Sequence, residues 1–182
     1  DPVEAVSTFD PIPHPRIPPP LALYRSQGQA RDNSMGINLA NDDQLRTLAE
    51  GLNTAGAGTW TAAPLVPGAT VSGEAKPVTN PADRREIVGH YRSADAAVVE
   101  QALKNAEAAH PAWDATAVDA RAAMLEKAAE LMEAQMPRLM AMCTKEAGKT
   151  IPDGVAEVRE AVDFLRYYAL EARRQFAVAA LP

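Results

Sequence analysis

Between Glu157 and Tyr168 the chain reads EVREAVDFLRYY, and on a helix these residues sort into two unlike faces. At 100° per residue Val155, Val158, Val162, Leu165 and Ala169 form an aliphatic stripe. Glu160, Phe164 and Tyr167 fall on roughly the opposite side. A surface helix places charges there and little else, so this pattern predicts a sandwiched helix with a carboxylate among aromatics, the make-up of a pocket wall. Glu157 and Asp163 lie three residues either side of Glu160, and like charges at that spacing cost about 0.2–0.5 kcal/mol each. Arg159 and Arg166 are spaced to pair with Asp163, which leaves Glu160 without a cation on its own helix. On the pattern alone, a solvated acidic patch is the favoured reading over a binding carboxylate.

Cys143 is the one thiol, in the helical run LMAMCTKEAG, with no histidine near it in sequence. A reactive thiolate needs a cation or a helix N-terminus, so this position reads as a packing cysteine. His14, His90 and His110 have no metal-ligand spacing and read as structural or solvated. The glycines at 51, 56 and 58 lack the strand-to-helix setting of a phosphate cradle. No catalytic, cofactor-binding or metal-binding residue is assigned from these patterns.

The elements that must position these groups come next. Seven of the 15 prolines fall in residues 1–20, an extended linker rather than core. A short helix is expected over Asp42–Leu52 with Asn41 as its cap, and a loop over residues 53–75. Lys76–Asn80 and Ile87–Tyr91 read as strands joined by the turn PADRRE. Ser93 caps a helix to about Ala109 that Pro111 breaks. Thr116 with Asp119 opens the next helix as a capping-box variant; it continues or kinks at Pro137 and stops at Gly148. Thr150, Pro152 and Asp153 start the last helix, expected to run to Phe176.

The bulk numbers set limits. The 182 residues suffice for one domain, or a smaller domain and an arm. Alanine supplies much of the 47% hydrophobic content while aromatics are 5%, so an isolated core would be thin. A net charge of −6 speaks against nucleic acid as a main partner, no apolar run is long enough to span a membrane, and a lone cysteine fits a reducing compartment.

From Lys76 onward the order NPADRREIVG, PAWDATAVDARAAMLEKAAELME and KEAGKTIPDGVAEVREAVDFLRYYALEARR resembles the opening of an aldehyde dehydrogenase domain. With HPRIPPPLALY and RDNSMGINL the resemblance extends to the proline utilization A family of bifunctional flavoenzymes, over most of residues 14–45 and 76–176. Residues 46–75 match weakly, Arg25 to Gln29 lengthen the connector, and Asn38 stands where the family often has aspartate.

The resemblance implies an α/β parent with the aldehyde dehydrogenase fold. This segment would be mainly α-helical, with a short β-hairpin and a long irregular N-terminal arm. Residues 1–75 would form the connector and residues 76–182 the truncated start of the dehydrogenase domain. The parent would oxidise L-glutamate γ-semialdehyde to glutamate with NAD, coupled to proline oxidation on FAD in a preceding barrel. Its catalytic cysteine and general-base glutamate have no counterpart in this chain, and Cys143 does not match the cysteine motif, so the segment alone is expected to be inactive. Glu160 would line the aldehyde site, with Phe164 as a neighbouring wall. The resemblance further implies a small-molecule substrate, a homo-oligomer, a cytoplasmic location with attachment to the inner membrane left open, and a connector that serves channelling between two active sites. A stand-alone aldehyde dehydrogenase of another substrate class and a non-catalytic helical interaction module stand as alternatives.

Overall fold

The computed structural model describes residues 1, 4 and 17–177; most of the proline-rich linker and His14 lie outside the described residues. A 3-10 turn at Pro20–Ala22 leads into α1 (Leu23–Ser26), and an extended arm over residues 29–39 reaches α2 (Asp42–Gly56). Strands β1 (Trp60–Ala62), β2 (Lys76–Thr79) and β3 (Ile87–Tyr91) follow. Then come α3 (Ala96–Asp114), α4 (Val118–Ala134), α5 (Met136–Ala147) and α6 (Ile151–Phe176). The segment is mostly helical with one small mixed sheet, in keeping with the fold class expected from the sequence.

The core lies where α2, α4, α5 and α6 meet. Leu48, Ala129, Met136, Met140, Val155, Val158 and Val162 are buried there, and Ile37 and Leu39 of the arm pack against them. Ala129 and Ala169, both fully buried, let α4 and α6 approach closely. Gly154 faces Met140 at ordinary contact distance, so α5 also lies near α6.

Local chemistry sets several boundaries where the sequence puts them. Asn41 accepts from the Gln44 N–H at 2.9 Å to open α2. Gly148 closes α5 in the left-handed region at φ 67°, which favours glycine. The Thr150 side chain caps α6, with Pro152 in its first turn.

Other boundaries move. α2 runs a turn beyond Leu52, because the Lys145 ammonium donates to the Gly56 carbonyl at 2.7 Å and satisfies its orphan acceptor. Asp95, not Ser93, caps α3 by accepting from the Val98 N–H. Pro111 does not break α3: it sits near the end, and its carbonyl still accepts from the Ala115 N–H at 3.1 Å. The capping box at Thr116 is absent. That hydroxyl turns back to the Ala112 carbonyl, Asp119 binds Arg173 of α6, and α4 starts at Val118 without a side-chain cap. At Pro137 the helical run divides, α4 ending at Ala134 and α5 starting at Met136.

The region expected to be a loop holds β1, which pairs parallel to β3 from Trp60 opposite Gly89 to Ala62 opposite Tyr91. β2 lies on the other side of β3, antiparallel, with an irregularity at Val78 and Thr79. A Cβ on Gly89 would stand 2.2 Å from the Trp60 carbonyl oxygen, so β1 can pair only against glycine there. Lys145 also donates to Glu86 at 2.7 Å, which ties the turn between β2 and β3 to α5. Among the described residues no helix is long and apolar enough to cross a membrane.

Replacing Gly89 with alanine should therefore destabilise the fold by about 1–3 kcal/mol, the range for overpacking. Gly58→Ala, with nothing within 4 Å of the added carbon, should stay within about 0.5 kcal/mol. Urea unfolding of the two variants provides the comparison; equal midpoints would contradict the close approach at Gly89.

Candidate functional site

The Glu160 face of α6 is not enclosed. It forms one wall of an open pocket of about 540 Å³, lined by Ala156, Arg159, Glu160, Asp163, Phe164 and Tyr167 of α6 and by Tyr24 and Arg31 of the N-terminal arm. The expected sandwich is thus one-sided among the described residues: Glu160 is exposed, and Phe164 and Tyr167 keep 51% and 42% of their surface. Tyr168, outside the pocket lining, steadies the two wall rings. Phe164 stacks on Tyr168 at 6.0 Å, and Tyr167 meets Tyr168 edge-on at 5.2 Å.

The three acids of α6 have different partners. Glu157 accepts from Lys149 Nζ at 2.6 Å. Asp163 accepts from the Ser34 N–H and from the Ser34 hydroxyl, both at 2.8 Å. Glu160 has no hydrogen-bond or ion-pair partner among residues 17–177. The arginines correct the sequence expectation, since neither pairs with Asp163. Arg159 Nε donates to Ser34 Oγ at 3.2 Å. Arg166 makes a two-pronged pair with Glu133 of α4, at 3.0 and 2.8 Å, and donates to the Asn33 carbonyl. The Met35 N–H completes this clamp by donating to Glu133 at 2.8 Å. Intrahelical spacing permitted the Asp163 pairs; the arm, over a hundred residues away, offered better-aimed partners.

Sequence reasoning missed the arm's contribution to the pocket. Arg31 lies 3.5 Å from the Tyr24 ring centroid and 5.7 Å from that of Tyr167. No spacing rule joins residues 24, 31 and 167, so nothing local in the sequence brings them together.

Cys143 is half-buried on α5, and burial, reinforced by the negative charge of Glu157, pushes its thiol above the ordinary value. That is the opposite of an activated nucleophile. His90 lies exposed on β3 and His110 exposed within α3. The residues between β3 and α3 include no glycine, and among the described residues no strand leads through a glycine-rich turn into a helix. The described residues therefore do not fit a dinucleotide's phosphates.

Helices stacked beside a small mixed sheet match part of the aldehyde dehydrogenase fold. The chain belongs to the aldehyde dehydrogenase family, whose model matches residues 69–181. More particularly, it is 46% identical over 182 residues to the bifunctional protein PutA of Klebsiella aerogenes, covering 97% of this chain and 14% of that protein. The chain thus spans about a seventh of that relative's length. The structure of PutA from Bdellovibrio bacteriovorus, inactivated by N-propargylglycine, superposes with a TM-score of 0.74 at 27% identity, over 78% of this chain and 15% of that one. A 1-pyrroline-5-carboxylate dehydrogenase from Thermus with bound NAD gives 0.72 at 30% identity, over 82% and 30% of the two chains.

Two measurements follow from the site. Glu133→Gln should lower stability by roughly 3 kcal/mol, the low end for breaking a buried pair, because the Arg166 and Glu133 side chains keep only 16% and 14% of their surface. Hydrogen exchange at Met35 should speed up in the same variant, and unchanged exchange would show that Glu133 does not hold the arm. For Cys143, the raised thiol pKa means the thiolate is scarce at neutral pH and grows only as pH rises beyond the ordinary thiol range. Alkylation at pH 8, followed at the Cys143 peptide, should run slower than in the unfolded chain, and equal rates would contradict the shielding of the thiol by burial.

Proposed function

We propose that this chain is part of a longer PutA-like protein that oxidises L-glutamate γ-semialdehyde to glutamate, and that Glu160 and Phe164 form part of its aldehyde-binding pocket. The observation that carries the reading is the Glu160 carboxylate, exposed and unpaired among residues 17–177, on the wall that also holds Phe164 and Tyr167. A charged group left unsatisfied beside apolar rings is suited to a polar ligand. The likeness to a 1-pyrroline-5-carboxylate dehydrogenase supports the substrate class.

The division of labour follows from what the residues can do. Residues 1–75 act as connector, and residues 76–182 supply scaffold and pocket wall. NAD, as hydride acceptor, and FAD, as oxidant of proline, would be held by other parts of the longer protein. Phe164 provides an apolar surface for the substrate's methylenes, and Glu160 an acceptor for its ammonium group. Cys143 is a poor candidate for the covalent step, since burial and Glu157 raise its thiol pKa.

In the full-length protein Glu160→Gln should raise KM for the semialdehyde about tenfold, the worth of one charge-assisted hydrogen bond. Stability should change by less than about 0.5 kcal/mol, as for other exposed positions. An unchanged KM together with a lower unfolding midpoint would make Glu160 a structural residue and remove the basis of the pocket assignment.

A further inference from the structure

We propose that Arg31, carried by the arm, is a specificity-determining residue that selects carboxylate-bearing aldehydes at the Glu160 pocket. The inference rests on the pocket reading above and extends it to a residue outside the segment matched by the family model, which begins at residue 69.

The arginines around this pocket fall into two groups. Arg25 is bound to Asp32 through both Nε and Nη2, and Arg166 is neutralised by Glu133. Arg159, which also lines the pocket, forms no ion pair but spends its Nε on the buried Ser34 hydroxyl that holds the arm. Arg31 differs. Its Nε donates to the Gln29 side-chain carbonyl at 3.3 Å, a neutral acceptor, and among residues 17–177 no carboxylate forms an ion pair with it. The guanidinium is held instead by ring faces, Tyr24 on one side and Tyr167 further off. Aromatic faces fix an arginine's plane without cancelling its charge, so its remaining N–H groups stay available for a second ligand.

The clamp at Ser34 and Met35 fixes the arm three and four residues along, which restricts where Arg31 can go. Position, orientation and charge thus coincide in a pocket whose other charged wall groups are Glu160, without a partner among residues 17–177, and Arg159 and Asp163, both engaged by Ser34. One positive and one negative group on a shared apolar surface complement a ligand carrying both a carboxylate and an ammonium. They complement a neutral aldehyde poorly.

The test is steady-state kinetics of the full-length protein with two aldehydes, L-glutamate γ-semialdehyde and the uncharged pentanal. Arg31→Gln should raise KM for the semialdehyde at least about tenfold, the loss of a charge-assisted contact, and leave KM for pentanal within about twofold. Arg31→Lys, which keeps the charge but not the planar fork, should fall between; it carries the same test if Arg31→Gln does not fold. Raising salt should lift KM for the semialdehyde in the parent protein and much less in Arg31→Gln. Equal changes for both aldehydes would make Arg31 a merely structural staple and overturn the proposal. A silent Arg31→Gln beside an effective Glu160→Gln would overturn the role of Arg31 alone, and two silent variants would overturn the pocket reading as well.

Discussion

The Arg166–Glu133 pair is the interaction on which the rest of this architecture depends. It joins α6 to α4 by two parallel hydrogen bonds in a mostly buried setting, where removing either partner strands a charge. The same two side chains also bind backbone of the arm, through the Asn33 carbonyl and the Met35 N–H. One ion pair therefore fixes a helix pair and a strap at once. Ser34 sits between, 4% exposed, with its N–H and hydroxyl both given to Asp163. The arm has little regular structure of its own, so its path is set by groups on α4 and α6 and, at its far end, by Gln44 of α2, which accepts from the Asn38 N–H.

The helix α6 can serve this role because its faces are divided by chemistry. Val155, Val158, Val162 and Ala169 are buried against the core. Arg159, Asp163 and Arg166 hold the arm, and Glu160, Phe164 and Tyr167 are left toward the pocket. A helix with three differently used faces needs firm ends. Thr150 supplies one, and Arg173, held by Glu126 and Asp119, ties the far end to α4. The Glu126 carboxyl is held below the ordinary carboxylate range chiefly by its hydrogen bonds to Arg173. A folded pKa below the unfolded one means the contribution is present at neutral pH and lost as pH falls through the folded value.

What the sequence made legible was local. Asn41, Gly148 and Thr150 act through backbone groups within a few residues, and each sits where its side chain or dihedral preference requires. The aliphatic stripe of α6 was equally readable, since helical periodicity is a property of the segment itself. β1 was not. Three residues are too few for an alternation pattern, and its partner β3 lies some thirty residues away in a parallel pairing that no short turn announces. The end of α2 was set by Lys145, about ninety residues away, again beyond local reach. At Asp163 the sequence offered arginines at suitable helical spacing, yet a serine on the arm took the contact. Where two partners were available, the tertiary one won.

The candidate site follows the same division. Glu160 stood out by what its neighbours lacked, and the structure leaves that carboxylate unpaired among residues 17–177 while its two acidic neighbours find Lys149 and Ser34. Arg31 gave no such signal, because its setting is made by a ring seven residues earlier and another on α6. Arg31 and Glu160 come from elements held together chiefly by the polar clamp at Ser34, Glu133 and Arg166. Loosening that clamp would separate them without touching either, so the chemistry of this wall is as much a property of how the arm is tied down as of the helix that carries Glu160.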